Sequence, residues 1–319
     1  TIIRANPEAV HVFCGYWAER RYFPLLVYAL WHKANVVIIN ESFSSESVGY
    51  LVEGKRLLNK IKATLRPLLY RAASSLLMFA ARGKKPALLA ISLRAVEQFK
   101  QSGLRDDQVF PFGYFVPSIP VLDQPKQSLG GAIRLIFVGS LLPTKGLDIA
   151  IAAVTLCQKL SLPITLDVYG VGDATKYISD ETRGTSYCGT IPFGQAQAVI
   201  AQYDVLILPS RHDGWGVVVN EALLQGVPVI ASENVGARCL VEANGAGAIF
   251  PNEDAADMQN IFQQLSTDPK VLHAWRDNAA RVRVLIEPEV AAQYMKDVLM
   301  FYFYQMGERP KLLCCEAAQ

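Results

Sequence analysis

Short apolar runs alternate with stretches of helical periodicity along the whole chain. Runs at 10–15, 35–40, 87–92 and 109–113 read as buried strands, and 18–32, 55–81 and 93–102 carry the helical period. Pro67 predicts an interruption in the second of these helices, and Gly103 a stop to the third. Residues 44–54 are polar and serine-rich, hence a loop. A second series follows, with strands at 133–139, 164–169, 187–189, 205–208, 227–231 and 248–250. Its helices are expected at 147–160, 194–202, 217–225, 254–266, 269–283 and 289–305. The segment 217–225 is locally ambiguous, because three consecutive valines favour a strand. It reads as helix because it follows a glycine turn, ends at Gly226 as at a C′ glycine, and meets Pro228. Strands alternating with helices imply parallel sheets covered on both faces. Between the two series, 117–131 carries three prolines and two glycines among polar residues and reads as a linker.

The 319 residues are enough for two domains of ordinary size. A net charge of +2 gives no reason to expect a polyanionic partner, and nucleic acid is not expected. The six cysteines show no metal spacing, and Cys314 and Cys315 are adjacent, so a reduced, cytoplasmic chain is the simplest expectation. No apolar run reaches 18 residues, and 1–7 do not form a signal peptide. They lack an initiator Met, so the chain reads as trimmed. Residues 55–96 contain no Asp or Glu but many Lys and Arg interleaved with Leu. Two readings stand: a basic amphipathic helix on an anionic membrane surface through 55–94, at the inner face of the plasma membrane, or a core helix with a solvated basic edge.

The chemistry concentrates at Asp213-Gly214-Trp215-Gly216, between the strand at 205–208 and the helix at 217–225. Glycines there free the loop for φ > 0 and let a ligand approach the backbone. A helix opening on glycines presents unpaired N–H groups and a positive dipole end, which suits a phosphate. Glu221 sits about one turn inside the helix and Asp213 lies before it. Carboxylates repel phosphate, so these two are better suited to accept hydrogen bonds from hydroxyls. Phosphate plus hydroxyls suggests a nucleotide sugar. The pair Gly170-x-Gly172 after a strand tempts a dinucleotide reading, but Thr175 occupies the place of the third glycine, so a dehydrogenase is rejected.

This stretch resembles the family 4 glycosyltransferases, whose Glu-x7-Glu motif stands here as Asp213 to Glu221, followed by Ala222, Gly226, Pro228 and Val229. Asp replaces the first Glu, and Trp215 the usual Phe. A second match runs from Gly139 to Lys145-Gly146, with Ser140 where the family often has Arg. The resemblance implies an α/β fold of the GT-B type, two Rossmann-like domains with parallel sheets facing across a cleft. Residues 1–116 would form the N-terminal acceptor-side domain, 117–131 the linker and 132–288 the nucleotide-sugar domain. Residues 289–319 would form a closing helix that returns to the first domain, and a tail. The family opens with further strands and a glycine-rich loop, so the first domain reads as incomplete.

By the same resemblance, Asp213, Lys145 and Glu41 are the candidate catalytic residues. Gly139, Ser140, Lys145, Gly214, Trp215, Gly216, Val217 and Val218 would bind the donor diphosphate, with Arg211 a further cation. Glu221 would hold the ribose, while Gly170, Gly172, Asp173, Thr190 and Ile191 would line the base pocket. Trp215 reads equally as a sugar-facing platform or as core. Gly15, Tyr16 and Glu41 would lie on the acceptor side, since ligands bind at the carboxyl ends of parallel strands. The family implies transfer of a sugar from a nucleotide-diphosphate-sugar to a saccharide or lipid-linked acceptor, in cell-surface polysaccharide or glycolipid synthesis. It further implies retention of configuration and no metal or cofactor. The alternatives are a non-catalytic nucleotide-sugar-binding partner subunit of the same fold, and a sugar phosphorylase or epimerase.

Overall fold

The computed structural model describes residues 2–6, 8–15, 21–44, 56–120, 131–179 and 182–312, with side chains of the helix starting at Arg56 described from residue 60. The chain divides into two compact units. One comprises Thr1–Ser47, Glu53–Tyr114 and Ala291–Leu312; the other is chiefly Phe115–Val290. The expected loop at 44–54 beyond Ser44, Tyr16, and most of the expected linker lie outside the described residues.

The first unit runs α1 (Ile2–Ala5), β1 (Val10–Cys14), α2 (Phe23–Trp31), β2 (Asn35–Glu41), α3 (Arg56–Ala80), β3 (Ala87–Ile91), α4 (Leu93–Gln101) and β4 (Val109–Phe112). All four strands are parallel, in the order β1-β2-β3-β4. The apolar runs become strands because parallel strands covered on both faces must be apolar throughout; every residue of β3 is buried. Leu26, Leu30, Ile38, Leu77, Leu88 and Phe99 form the core, with Phe43 stacked on Tyr70 at 4.2 Å. The interruption expected at Pro67 does not occur: α3 runs through it. Its buried stripe of Ala63, Tyr70 and Leu77, spaced seven apart, needs helix on both sides of the proline. Packing of that stripe outweighs the lost backbone donor, and Pro67 itself is exposed.

The second unit holds β5 (Ile133–Val138), α5 (Leu147–Lys159), β6 (Ile164–Tyr169), β7 (Thr185–Tyr187), α6 (Ala196–Ile200) and β8 (Val205–Leu208). Next come α7 (Val217–Leu224), β9 (Val229–Ser232), α8 (Arg238–Glu242), β10 (Gly247–Phe250), α9 (Ala255–Thr267) and α10 (Pro269–Val282). Periodicity did not reveal the short α8. The ambiguous valine segment is helical, and Gly226 takes φ +65° just beyond it. The six parallel strands stand in the order β10-β9-β8-β5-β6-β7, so the chain reverses direction across the sheet between β5 and β8. Phe137, Leu166, Ile207, Ile230, Phe250 and Phe262 anchor the core.

The last helix, α11 (Pro288–Tyr304), packs within the first unit from Ala291 on. Phe112 stacks on Tyr294 at 6.2 Å, and Phe110 meets the rings of Phe301 and Tyr302 edge-on. Lys84 donates to the carbonyls of Tyr302 and Phe303, both at 2.7 Å, placing a cation on the helix C-terminus. Among the described residues, Cys14, Cys157 and Cys188 are free thiols.

Candidate active site

In an open parallel sheet, ligands bind beyond the carboxyl ends of the strands where the chain reverses. In the second unit those ends are Val138 of β5 and Leu208 of β8. The two loops that leave them are sewn together. Arg211 N donates to the Thr144 carbonyl at 2.8 Å, and Gly146 takes φ +69° where a Cβ would stand 1.9 Å from the Pro209 carbonyl oxygen. Only glycine fits that crossing.

The loop after β6 closes on the loop after β5 in the same way. Leu141 N donates to Val171 O, Gly139 N to Tyr169 O, and Gly170 N to Gly189 O. A Cβ on Gly170 would lie 1.7 Å from the Gly139 carbonyl oxygen, and one on Gly172 would lie 2.6 Å from Leu141 Cβ. These two glycines therefore have a packing reason to be there. Asp173 is engaged as a cap, its Oδ1 accepting from Thr175 N at 3.2 Å and from Thr175 Oγ1 at 2.6 Å. Those bonds hold its carboxyl below the usual range. Thr190 is exposed and Ile191 half-buried just beyond β7.

Asp213 and Lys145 meet: Nζ lies 2.6 Å from Oδ2, with the side chains 28% and 13% exposed for lysine and aspartate. The aspartate backbone is pinned as well, its N donating to Asn234 O and its O accepting from Gly236 N. Arg211 is not a free cation. It makes paired bonds to Asp148 (2.8 and 2.7 Å) and to Glu253 (2.5 and 2.9 Å), and donates to Pro143 O. The two carboxylates raise its already high pKa further. The expectation that Arg211 would neutralise a phosphate is thus corrected: two carboxylates already spend its charge.

Gly216 caps α7 with φ +91°, whereas Gly214 is not in the left-handed region. A Cβ on Gly216 would meet the Leu208 side chain at 2.8 Å. No side chain caps the helix, and the N–H groups of Val217 and Val218 donate to no described residue. Trp215 is core and not a sugar-facing platform. Its ring is 1% exposed and its Nε1 donates to Asn220 Oδ1 at 2.7 Å, so only its backbone can serve a ligand. Val217, Val218 and Glu221 are the half-buried positions of α7, and their spacing puts them on one face. Glu221 has no partner among the described residues, and burial raises its carboxyl above the usual range.

In the first unit, Glu41 ends β2 and Gly15 follows β1, with Gly15 N donating to Ile39 O at 2.7 Å. Sequence reasoning missed Tyr114, whose hydroxyl donates to Glu41 Oε1 at 2.5 Å. Its place two residues beyond the carboxyl end of β4 was the available signal. Burial, then the Glu41 carboxylate, raises the phenol's pKa.

The sequence model of the family described as glycosyl transferases group 1 matches residues 120–282. Glycogen synthase of Mycobacterium tuberculosis is 28% identical over 198 residues, covering 59% of this chain and 47% of that protein. The amylovoran biosynthesis glycosyltransferase AmsK of Erwinia amylovora is 25% identical over 191 residues, covering 54% and 46%. The chain thus spans about half the length of the curated relatives it matches. Among solved structures, HepE of Anabaena in complex with UDP-glucose superposes with a TM-score of 0.65 at 16% identity, covering 93% of this chain and 80% of that one. That likeness identifies the fold as GT-B.

Proposed function

Since the chain belongs to the group 1 glycosyl transferases, we propose that it transfers a sugar from a nucleoside diphosphate sugar to a saccharide or lipid-linked acceptor, in the synthesis of a polysaccharide or glycolipid. One observation carries this reading. Two N–H groups at the start of α7 and the Glu221 carboxylate, all without a partner among the described residues, and the Lys145 ammonium belong to the strand-end loops and helix at the β5–β8 reversal. HepE, of similar fold, was solved with UDP-glucose, which supports the donor class.

The diphosphate accepts hydrogen bonds from Val217 and Val218 N–H, at the positive end of α7. Lys145 turns from Asp213 to the phosphate. The ribose hydroxyls donate to Glu221, and Asp213, released from Lys145, accepts from the transferred sugar. In the reaction the bond from the anomeric carbon to the diphosphate oxygen breaks. The acceptor oxygen bonds to the same face, so configuration is retained, and its proton passes to the departing phosphate oxygen. Charge that develops on the diphosphate is met by the α7 N–H groups, fixed in the helix, and by Lys145 once it has turned, a stabilisation worth several kcal/mol. No metal is required on this reading. On the acceptor side, Glu41 with Tyr114 and Gly15 would orient the incoming hydroxyl.

A second reading, a nucleotide-sugar-binding subunit without turnover, is favoured by the cation count: Lys145 is paired with Asp213 and Arg211 is consumed by two carboxylates. Incubation with a panel of UDP-, GDP-, ADP- and TDP-sugars separates the two. Release of free nucleotide supports the transferase, and binding without release supports the subunit. Phosphate-dependent release of sugar 1-phosphate would refute both in favour of a phosphorylase.

A further inference from the structure

Helix α3 buries one face and leaves a second apolar stripe on the other. Ala63, Tyr70, Ala73, Leu77 and Ala80 are buried. Ile61, Leu65, Leu68, Ala72, Leu76 and Phe79 are all exposed, Leu68 by 63% and Phe79 by 78%. At 100° per residue the spacings of four, three, four, four and three residues keep these six on one line, roughly opposite the buried stripe. The line is about 27 Å long at 1.5 Å per residue. A helix packed on one side ordinarily turns polar residues outward. This one does not.

The cations around α3 separate into two sets. Arg66 donates to Ser44 O, Lys85 to Met78 O and Ala81 O, and Lys84 to the end of α11, while Arg82 lies over the Trp31 ring. These four serve the fold. Lys60, Lys62 and Arg71 stand exposed around the stripe, with side chains donating to no described residue. No acid occurs between residues 55 and 96.

We propose that this face of α3 docks on an anionic membrane surface. The stripe enters the boundary between headgroups and acyl chains, and Lys60, Lys62 and Arg71 meet the lipid phosphates. The helix lies in the plane of the membrane, because its opposite face is packed in the core; no helix among the described residues is long and apolar enough to cross one. A second copy of the chain fits the face poorly. Antiparallel pairing of two stripes sets Arg71, near their midpoint, against its own counterpart, and parallel pairing aligns lysine with lysine. Neither arrangement supplies an acid.

The test is sedimentation of the full chain with vesicles of phosphatidylcholine alone or with phosphatidylglycerol at roughly a third of the lipid. It is run at low and high salt and compared with Lys62→Glu/Arg71→Glu and Leu68→Ser/Phe79→Ser. Wild type should bind the anionic vesicles in a salt-sensitive manner. Each basic group near such a surface is worth about fivefold in partitioning, so the double charge reversal should lower binding at least about 25-fold. Removing the two apolar side chains should abolish it. All four residues are exposed, so melting temperature and nucleotide affinity, measured in parallel, should not change. Equal binding to neutral vesicles, no vesicle binding by wild type, or full binding by either variant would overturn the proposal. Self-association that disappears in Leu68→Ser/Phe79→Ser, without vesicle binding, would reassign the stripe to a second copy.

Discussion

Replacing Lys145 by methionine leaves Asp213 as a largely buried carboxylate with no counter-charge. A fully exposed ion pair contributes about 0.2–1 kcal/mol, while removing one partner from a fully buried pair costs about 3–5 kcal/mol. At 28% and 13% exposure and 2.6 Å, this pair lies between the limits, near the ~1.5–3 kcal/mol of a charge-assisted hydrogen bond. We expect Lys145→Met to destabilise by about 2 kcal/mol, a fall of roughly 4–8 °C in Tm for a domain of this size. Asp213→Asn should cost less, since it leaves an ammonium that can reach water. In urea unfolding, the Lys145→Met/Asp213→Asn double variant should show a coupling energy of about 1 kcal/mol or more. The same exchange has a functional side. With no carboxylate holding Lys145, Asp213→Asn should bind a free nucleoside diphosphate several-fold more tightly while losing sugar turnover. A coupling near zero, or weaker diphosphate binding in Asp213→Asn, would refute the reasoning.

Gly170→Ala should destabilise by about 3 kcal/mol or more, because its Cβ would stand 1.7 Å from a backbone oxygen that only a loop movement can clear; an unchanged melting temperature would contradict the described loop packing. Burial raises the Glu221 carboxyl above its ordinary value of 4.5, so the folded chain holds this proton more tightly than the unfolded chain. The contribution is fully present below pH 4.5 and is lost as pH rises through the raised value. Glu221→Gln, with no charge to bury, should therefore gain stability relative to wild type across that rise; parallel pH–stability curves would show that Glu221 is not desolvated.

Much of this architecture was legible in the chain itself. The buried strands announced themselves as apolar runs, and the valine-rich α7 was readable as a helix only because Gly216 and Gly226 bracket it. Asp213 falls in the loop after β8 and Glu221 about one turn inside α7, because their spacing is local and a glycine turn followed by a helix fixes it. What was not legible depends on partners distant in sequence. Arg211 looked like a phosphate ligand until Asp148 and Glu253 met it, 63 and 42 residues away. The Asp213–Lys145 contact spans 68 residues, and the Tyr114–Glu41 bond 73. Trp215 could be placed in the core only once Asn220 was seen to accept from its indole. Pro67 misled because local propensity says nothing of the stripe that α3 buries on both sides of it.

The most direct measurement is calorimetric titration of the full chain with UDP-, GDP-, ADP- and TDP-linked sugars, repeated on Glu221→Ala. Saturable association with one of these donors, with one molecule bound per chain and at least about tenfold weaker in the variant, is the predicted result, tenfold being one lost charge-assisted hydrogen bond. Failure of every donor to bind, or an affinity unmoved by Glu221→Ala, would contradict the assignment of the β5–β8 reversal as the donor site.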